Sequence, residues 1–435
     1  MTRLARFLGF RARGGNEPAA DSPQEVRRAV TLCHSLLTER GEVSGAKIAA
    51  EILALYSVMN RPSRAALFDA LATGFSPDPD AVGLAGAAYS QEPSPRNLSR
   101  LQAVVEPPRQ ELFRRLNSAP GATAILVGLR SEVLCEIARK PEWQPIADDL
   151  GHLFASWFNR GFLMLERIDW QSSAAVLEKL IRYEAVHAIQ GFPDLRRRLA
   201  ADRSCYAFFH PAMPQEPIIF VEIALTRGMS AKVQPLLDPD APVLDPESAD
   251  AATFYSITNC HEGLKGVPFG SFLIKQVAAD LGQKFPKLRR FATLSPVPGF
   301  AAWLKSQPRY AELAANLAQP AWVSNQTLSA EYERTLPALC AYYLLRGGKG
   351  KEPRDGVARF HLRNGARLER INWLGDVSEA GLRGSFGMMV NYVYRLAEIE
   401  SNHERYTHQY KIAASAQVEV LAKRVERTLP VLELG

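Results

Sequence analysis

Between Phe254 and Phe300 the apolar residues change their spacing twice, and that stretch limits the folds open to the chain. Phe254 to Ile257 reads as a strand, and a polar, glycine-bearing loop follows from Asn259 to Pro268. Phe269, Leu273, Val277 and Leu281 then recur at helical spacing, flanked by Phe272, Ile274 and Ala278. Phe291 to Leu294 form a second short strand, stopped by Ser295-Pro296-Val297-Pro298-Gly299. A strand, loop, helix, strand crossover makes its two strands parallel, with both C-terminal ends at one sheet edge. Ligands of open α/β sheets bind at that edge. The loop leads into a helix N-terminus, where unpaired N–H groups and the helix dipole favour an anion. Gly266 and Gly270 either admit phosphate oxygens close to the backbone or serve only turns and helix packing. The loop has neither the Gly-Lys-[Ser/Thr] of a Walker A loop nor the G-x-G-x-x-G spacing of a dinucleotide fold.

Ahead of this unit the pattern is helical. Ser22-Pro23 can cap a first helix, and helical spacing continues through Leu153 with breaks at Ser76-Pro77-Asp78-Pro79 and Ser94-Pro95. The pattern shifts between Phe158 and Trp170. A helix at Ala174–Tyr183 then precedes strands at Cys205–Phe209 and Ile218–Leu225, the second apolar enough for burial on both faces. The reading is therefore two domains, 1–158 helical and 159–435 built on a sheet. Downstream, Asn364-Gly365 predicts a hairpin joining Ala358–Arg363 to Ala366–Trp373, with His361 on its less apolar face. A helix is expected to open near Met388, placing Asn391 and Tyr394 on one face.

A chain of 435 residues, 47% apolar and 23% charged, is globular and too long for one ordinary core. No apolar run is long enough to span a bilayer. The net charge of +6 suits anionic small molecules and is too small to argue for nucleic acid. Five scattered cysteines without a C-x-x-C indicate neither a disulfide framework nor a metal site. A reducing, cytoplasmic location fits; the Arg-rich N-terminus also admits a mitochondrial transit peptide.

The wording of two runs is more specific than these patterns. FYSITNCHEGLKGVPFGSFLIKQV with FATLSPVPGF, and FHLRNGARLERINWLGDVS with GSFGMMVNYVY, resemble the signatures of the malonyl-CoA decarboxylase family. The resemblance runs from about Gly161 to Arg395 and includes FFHPAMPQEPIIFVEIALT. It implies an all-helical N-terminal domain followed by an acetyltransferase-like (GNAT-like) mixed-sheet catalytic domain that binds acyl-CoA. It implies a carboxy-lyase that turns malonyl-CoA into acetyl-CoA and CO2, and a homotetramer built as a dimer of dimers. By the same resemblance Ser295 matches the active-site serine, His361 the proton donor, and Tyr394 a tyrosine of the same pocket. Lys265, Gly266, Val267, Pro268, Phe269, Gly270 and Ser271 match the acyl-CoA loop, and Asn391 joins the substrate-binding set. Some members carry a glutamate where this chain has Pro268; Glu262 is the nearest substitute.

The chemistry needs no metal and no cofactor beyond the coenzyme A of the substrate. The thioester carbonyl is the electron sink: losing CO2 leaves an enolate on its oxygen. Catalysis then requires hydrogen-bond donors at that oxygen and an acid for the carbanion carbon. A serine with a histidine also suggests a hydrolase, but no G-x-S-x-G elbow surrounds Ser295 and a proline follows it. A GNAT-type acyl-CoA transferase and a non-catalytic acyl-CoA-binding protein are the alternatives.

Overall fold

The computed structural model describes residues 23–39, 41–267, 273–348 and 351–427. The chain forms two units, Met1–Trp157 with the short segment Glu262–Gly266, and Phe158–His261 with Val267–Gly435. Among the described residues no helix is long and apolar enough to cross a membrane.

The first unit carries eight α-helices among its described residues. They are α1 (Pro23–Thr38), α2 (Glu42–Val58), α3 (Arg61–Gly74), α4 (Pro79–Gln91), α5 (Pro95–Val105), α6 (Pro108–Leu116), α7 (Ala122–Glu136) and α8 (Gln144–Trp157). Their starts follow from capping chemistry. Asn60, Asp78 and Ser94 each accept a backbone N–H of the first turn, and a proline sits in the first turn of α3 to α6, where its missing N–H costs nothing. The serine-proline breaks in the sequence are therefore helix starts. Within the core, the buried Arg109 is neutralised by Asp149, with Nε 2.7 Å from Oδ2, and donates to the Leu71 carbonyl.

Arg130 on α7 is a second buried cation, and it spends its donors on carbonyls. Nε donates to Ala147 at 2.8 Å, and one terminal nitrogen donates to Gly263 at 2.6 Å and Lys265 at 2.9 Å. Gly263 lies so close to the α7 backbone that a Cβ would collide with the Val127 carbonyl. Gly263→Ala should therefore cost about 1–3 kcal/mol, the usual penalty of overpacking, read as a lower urea midpoint. An unchanged midpoint would mean that the segment does not pack on α7.

The second unit is built on an eight-stranded sheet. Its strands are β1 (Met164–Ile168), β2 (Arg203–His210), β3 (Met213–Thr226), β4 (Ala251–Asn259), β5 (Arg290–Thr293), β6 (Ser295–Pro296), β7 (Arg367–Asn372) and β8 (Met389–Val393). The order is β1-β2-β3-β4-β5-β8-β6, with β7 also paired to β8. Every pairing is antiparallel except β4 with β5, the parallel pair expected of the crossover. An antiparallel meander leading into one parallel pair is a mixed sheet, following the helical unit in the order that the resemblance implies. β3 is buried on both faces from Pro217 to Leu225, as its unbroken apolar run predicts. One face packs under the Ala174–Tyr183 and Phe192–Arg198 helices through Leu177, Leu180, Leu195, Phe209 and Phe220. A second cluster farther along the sheet buries Ala224, Val233, Leu236, Tyr255, Leu294 and Met389.

Two expected elements are of the other kind. The segment before Asn364-Gly365 is a helix, Gly356–Arg363, and no hairpin forms there. Asp355 caps its start, accepting from Ala358 N–H at 3.0 Å. At its end Gly365 takes φ +77°, the Gly365 N–H donates to the Leu362 carbonyl, and the Ala366 N–H donates to His361. That is a Schellman cap, which uses a left-handed glycine just as a tight hairpin turn does. The second correction is β8: the run from Met389 is a strand, and Asn391 and Tyr394 accordingly point to opposite faces.

Candidate active site

The site forms where the parallel pair comes apart. The Leu294 N–H donates to Phe254 at 2.8 Å; beyond that bond the chain leaves β4 and pairs Ser295 with Val390 of β8. β4 itself runs on to Asn259 with β3 as its partner. The turn between β5 and β6 keeps Thr293 and Ser295 on one side, two residues apart, and buries both.

The Gly356–Arg363 helix brings His361 to this bend. With its start fixed by Asp355 and its end by Gly365, the helix holds the imidazole at only 2% exposure. Nε2 lies 3.0 Å from Ser295 Oγ, and Nδ1 lies 2.8 Å from the Tyr394 hydroxyl. Tyr392 stacks on the ring with centroids 4.6 Å apart. The Ser295 hydroxyl donates to Thr293 Oγ1 at 2.8 Å, and the Tyr392 N–H reaches the same oxygen at 3.2 Å. Thr293, Ser295, His361 and Tyr394 thus form one continuous buried chain of hydrogen bonds.

Burial sets the charge state of that chain. It pulls His361 down to about 3, so the imidazole is neutral through the physiological range. It also pushes the Tyr394 phenol well above its ordinary value. Asp355, the cap of the histidine helix, is raised by burial as well, against the pull of the backbone N–H groups it accepts. From Thr293 to Tyr394 the resting chain is therefore a set of neutral donors and acceptors.

Ser295, His361 and Tyr394 come together as a group. Asn391 does not join them. It lies fully buried on the opposite face of β8 with its amide fully used: Oδ1 accepts from Arg370 Nε and Asn372 Nδ2, each at 2.9 Å, while Nδ2 donates to the Ser230 and Thr293 carbonyls at 3.0 and 2.7 Å. It clamps the Thr293 backbone from behind. Lys265 and Gly266 belong to the first unit, with Gly266 at φ +85°, and Glu262 is exposed there; Val267 opens the second part of the sheet-bearing unit. Pro268, Phe269, Gly270 and Ser271 lie outside the described residues, and so does the helix start meant to cradle phosphate; the helix is described from Leu273 to Lys284.

Sequence reasoning missed Thr293, Tyr392, Asp355 and Arg370. Thr293 was within reach, because residues i and i+2 of an extended segment share a face. Asp355 stands three residues before Ala358, a capping signature. Nothing local marks Arg370 or Asn372, which meet Asn391 only through strand register.

Comparison with known proteins adds an independent finding. The malonyl-CoA decarboxylase C-terminal domain matches residues 161–430 and the corresponding N-terminal domain matches residues 75–158. The mitochondrial malonyl-CoA decarboxylase of Anser anser anser is 34% identical over 93% of this chain and 88% of its own length. That of Mus musculus is 32% identical over 93% and 91%. Crystal structures of malonyl-CoA decarboxylase from Rhodopseudomonas palustris and Agrobacterium vitis superpose with TM-scores of 0.86 and 0.85. They share 45% and 44% identity, each covering 91% of this chain and 99% of the other.

Proposed function

Because the chain belongs to the malonyl-CoA decarboxylase family, we propose that it splits malonyl-CoA into acetyl-CoA and CO2 at Ser295 and His361, with Tyr394 behind the histidine. The observation that carries this reading is the buried chain of hydrogen bonds, Ser295 Oγ to His361 Nε2 at 3.0 Å and His361 Nδ1 to Tyr394 at 2.8 Å.

The steps follow from what each group can give. At rest the serine proton is held on Thr293 Oγ1, and the Nε2 proton on Ser295. A malonyl thioester entering the bend takes over both donors at its carbonyl oxygen. The C2–C3 bond breaks, CO2 leaves, and the electron pair passes into the thioester as an enolate. Two preorganised donors in a water-poor site favour that oxyanion. The Nε2 proton of His361 then moves to C2, and Nδ1 takes up the Tyr394 proton, so the ring never stands as a free imidazolate. After CO2 and acetyl-CoA leave, the Tyr394 phenolate takes one proton from water, the proton that the net reaction consumes. A phenol held above its ordinary value releases a proton only to a base as strong as this relay meets. No acyl-enzyme is formed, since a neutral, weakly basic imidazole does not activate the serine.

Lys265 to Ser271 are the coenzyme A loop in this reading, and a homotetramer in the cytoplasm is its expected setting. Neither enters the chemistry at Ser295. The deciding experiment is mass spectrometry of products after incubating the purified chain with malonyl-CoA and no acyl acceptor. Acetyl-CoA with CO2 supports the reading; free CoA with malonate, or unchanged substrate, overturns it. Ser295→Ala should lose one oxyanion donor and with it a factor on the order of 10²–10³ in kcat. Trapping of an acyl group on Ser295 in the unmodified protein would contradict the mechanism.

A further inference from the structure

A neutral imidazole has one nitrogen that carries hydrogen and one that accepts it. In this site two hydroxyls compete for the accepting nitrogen: Tyr394 beside Nδ1 and Ser295 beside Nε2. The Tyr394 hydroxyl faces Nδ1, and no other acceptor for its proton is found among the described residues. The serine proton has an alternative, Thr293 Oγ1 at 2.8 Å, and the geometry makes Ser295 the donor of that bond. Thr293 is itself fixed on both sides, with Oγ1 accepting from the Tyr392 N–H and its carbonyl accepting from Asn391. The three bonds then run in one direction: Tyr394 O–H to Nδ1, Nε2–H to Ser295 Oγ, Ser295 O–H to Thr293 Oγ1.

We propose that Thr293 is a positioning residue that sets this direction, holding His361 with its proton on Nε2 and so keeping two donors, His361 Nε2–H and Ser295 O–H, available to the substrate. The opposite direction would leave one. The serine proton would then point into a bare Nε2, and the imidazole proton would sit on Nδ1 facing Tyr394, away from the bend. Thr293 touches neither substrate nor reacting atoms; it acts through Ser295. This inference rests on the decarboxylase reading above for its kinetic consequence, whereas the position of the proton stands on the geometry alone.

Thr293→Val keeps the shape of the side chain and removes the acceptor, so the Ser295 proton has only Nε2 to turn to. The test uses the full chain with ¹⁵N-labelled histidine, His361 being assigned by its loss in His361→Asn. In the unmodified protein the expected spectrum has a protonated Nε2 and a bare Nδ1. In Thr293→Val the proton should move to Nδ1, and kcat for malonyl-CoA should fall by roughly 10²-fold with KM changed only a few-fold, as for one lost oxyanion donor. Thr293→Ser, which restores the acceptor, should recover the Nε2–H form and most of the rate lost in the valine variant. A merely structural role would lower stability in the valine variant without moving the tautomer. A proton on Nδ1 in the unmodified protein overturns the proposal, even if Thr293→Val does not fold. So does a folded Thr293→Val that keeps both the tautomer and the rate. Absence of any decarboxylation by the unmodified protein would instead sink the functional reading, and the spectrum would still decide the direction of the chain.

Discussion

His361→Asn should lower kcat for malonyl-CoA by roughly two orders of magnitude or more while leaving substrate affinity nearly unchanged. Among the described residues, the imidazole is the only group in the bend that both donates at the position facing Ser295 and can be resupplied with a proton from behind, through Tyr394. An asparagine amide is shorter, reaches about as far as Nδ1, and cannot pass a proton. Deuterium counting separates the two lost functions: turnover in D2O places label in the acetyl methyl group, and the variant should deliver it slowly whatever residual CO2 release survives. Near-wild-type turnover would remove the histidine from the mechanism. The pH behaviour carries a sign of its own. Burial moves His361 from its ordinary 6.5 down to about 3, so between these values the unfolded chain holds the proton and the folded chain does not. Stability from this site is therefore full above 6.5 and is lost as pH falls towards 3. His361→Asn should flatten that part of the unfolding profile, and kcat of the unmodified protein should show no acid limb near 6.5 from this group.

How far the sequence carried depended on whether each element had one physical solution. The Ala174–Tyr183 helix has amphipathic spacing and a serine cap, and both ends fall where the pattern puts them. The parallel β4–β5 pair follows from the strand, loop, helix, strand pattern, in which the helix carries the chain back to the end of the sheet where β4 began. Asn364-Gly365 had two solutions. A left-handed glycine closes a two-residue hairpin and equally ends a helix, and the alternation of Phe360 and Leu362 favoured the first. The spacing of Ala358, His361 and Leu362, behind the cap of Asp355, selects the second. β8 failed for a different reason: all its residues are buried, so no polar alternation marks the strand, and burial on both faces is a property of the whole sheet.

The site divides along the same line. Ser295 and His361 were visible as residues in specific wording, but their 3.0 Å approach depends on a helix that the local pattern had read as a strand. Asn391 was visible as a residue, and only register shows that its amide is consumed by Arg370, Asn372, Ser230 and Thr293.

At pH 8.5 Arg198→Met should destabilise the sheet-bearing unit by roughly 3–5 kcal/mol, the cost of removing one partner from a buried ion pair. The loss should be smaller at pH 5, where Glu222 already holds a proton. Arg198 comes from the Phe192–Arg198 helix and donates to Glu222 at 2.7 Å, with both side chains 2% exposed. It also donates to Asp194 at 2.9 Å and to the His187 carbonyl at 2.9 Å, so one guanidinium holds a helix and a loop against the middle of β3. Methionine matches its length and none of its charge. Glu222 is already pushed up to about 7 by burial first and by the neighbouring Glu184 charge second, with Arg198 opposing both. Between the ordinary carboxyl value of 4.5 and about 7 the folded chain thus holds a proton that the unfolded chain has lost. The site's contribution to stability is largest below 4.5 and declines as pH rises through 7. Without Arg198 the carboxyl holds its proton to higher pH still, so the decline should extend into the alkaline range. Replacing the pair together, Arg198→Met with Glu222→Leu, leaves no unpaired charge on β3 and should recover most of the loss. Urea unfolding of the three proteins at pH 5, 7 and 8.5 reads all of this. A single variant within about 1 kcal/mol of the unmodified chain at every pH would show that Glu222 is not anchored by Arg198.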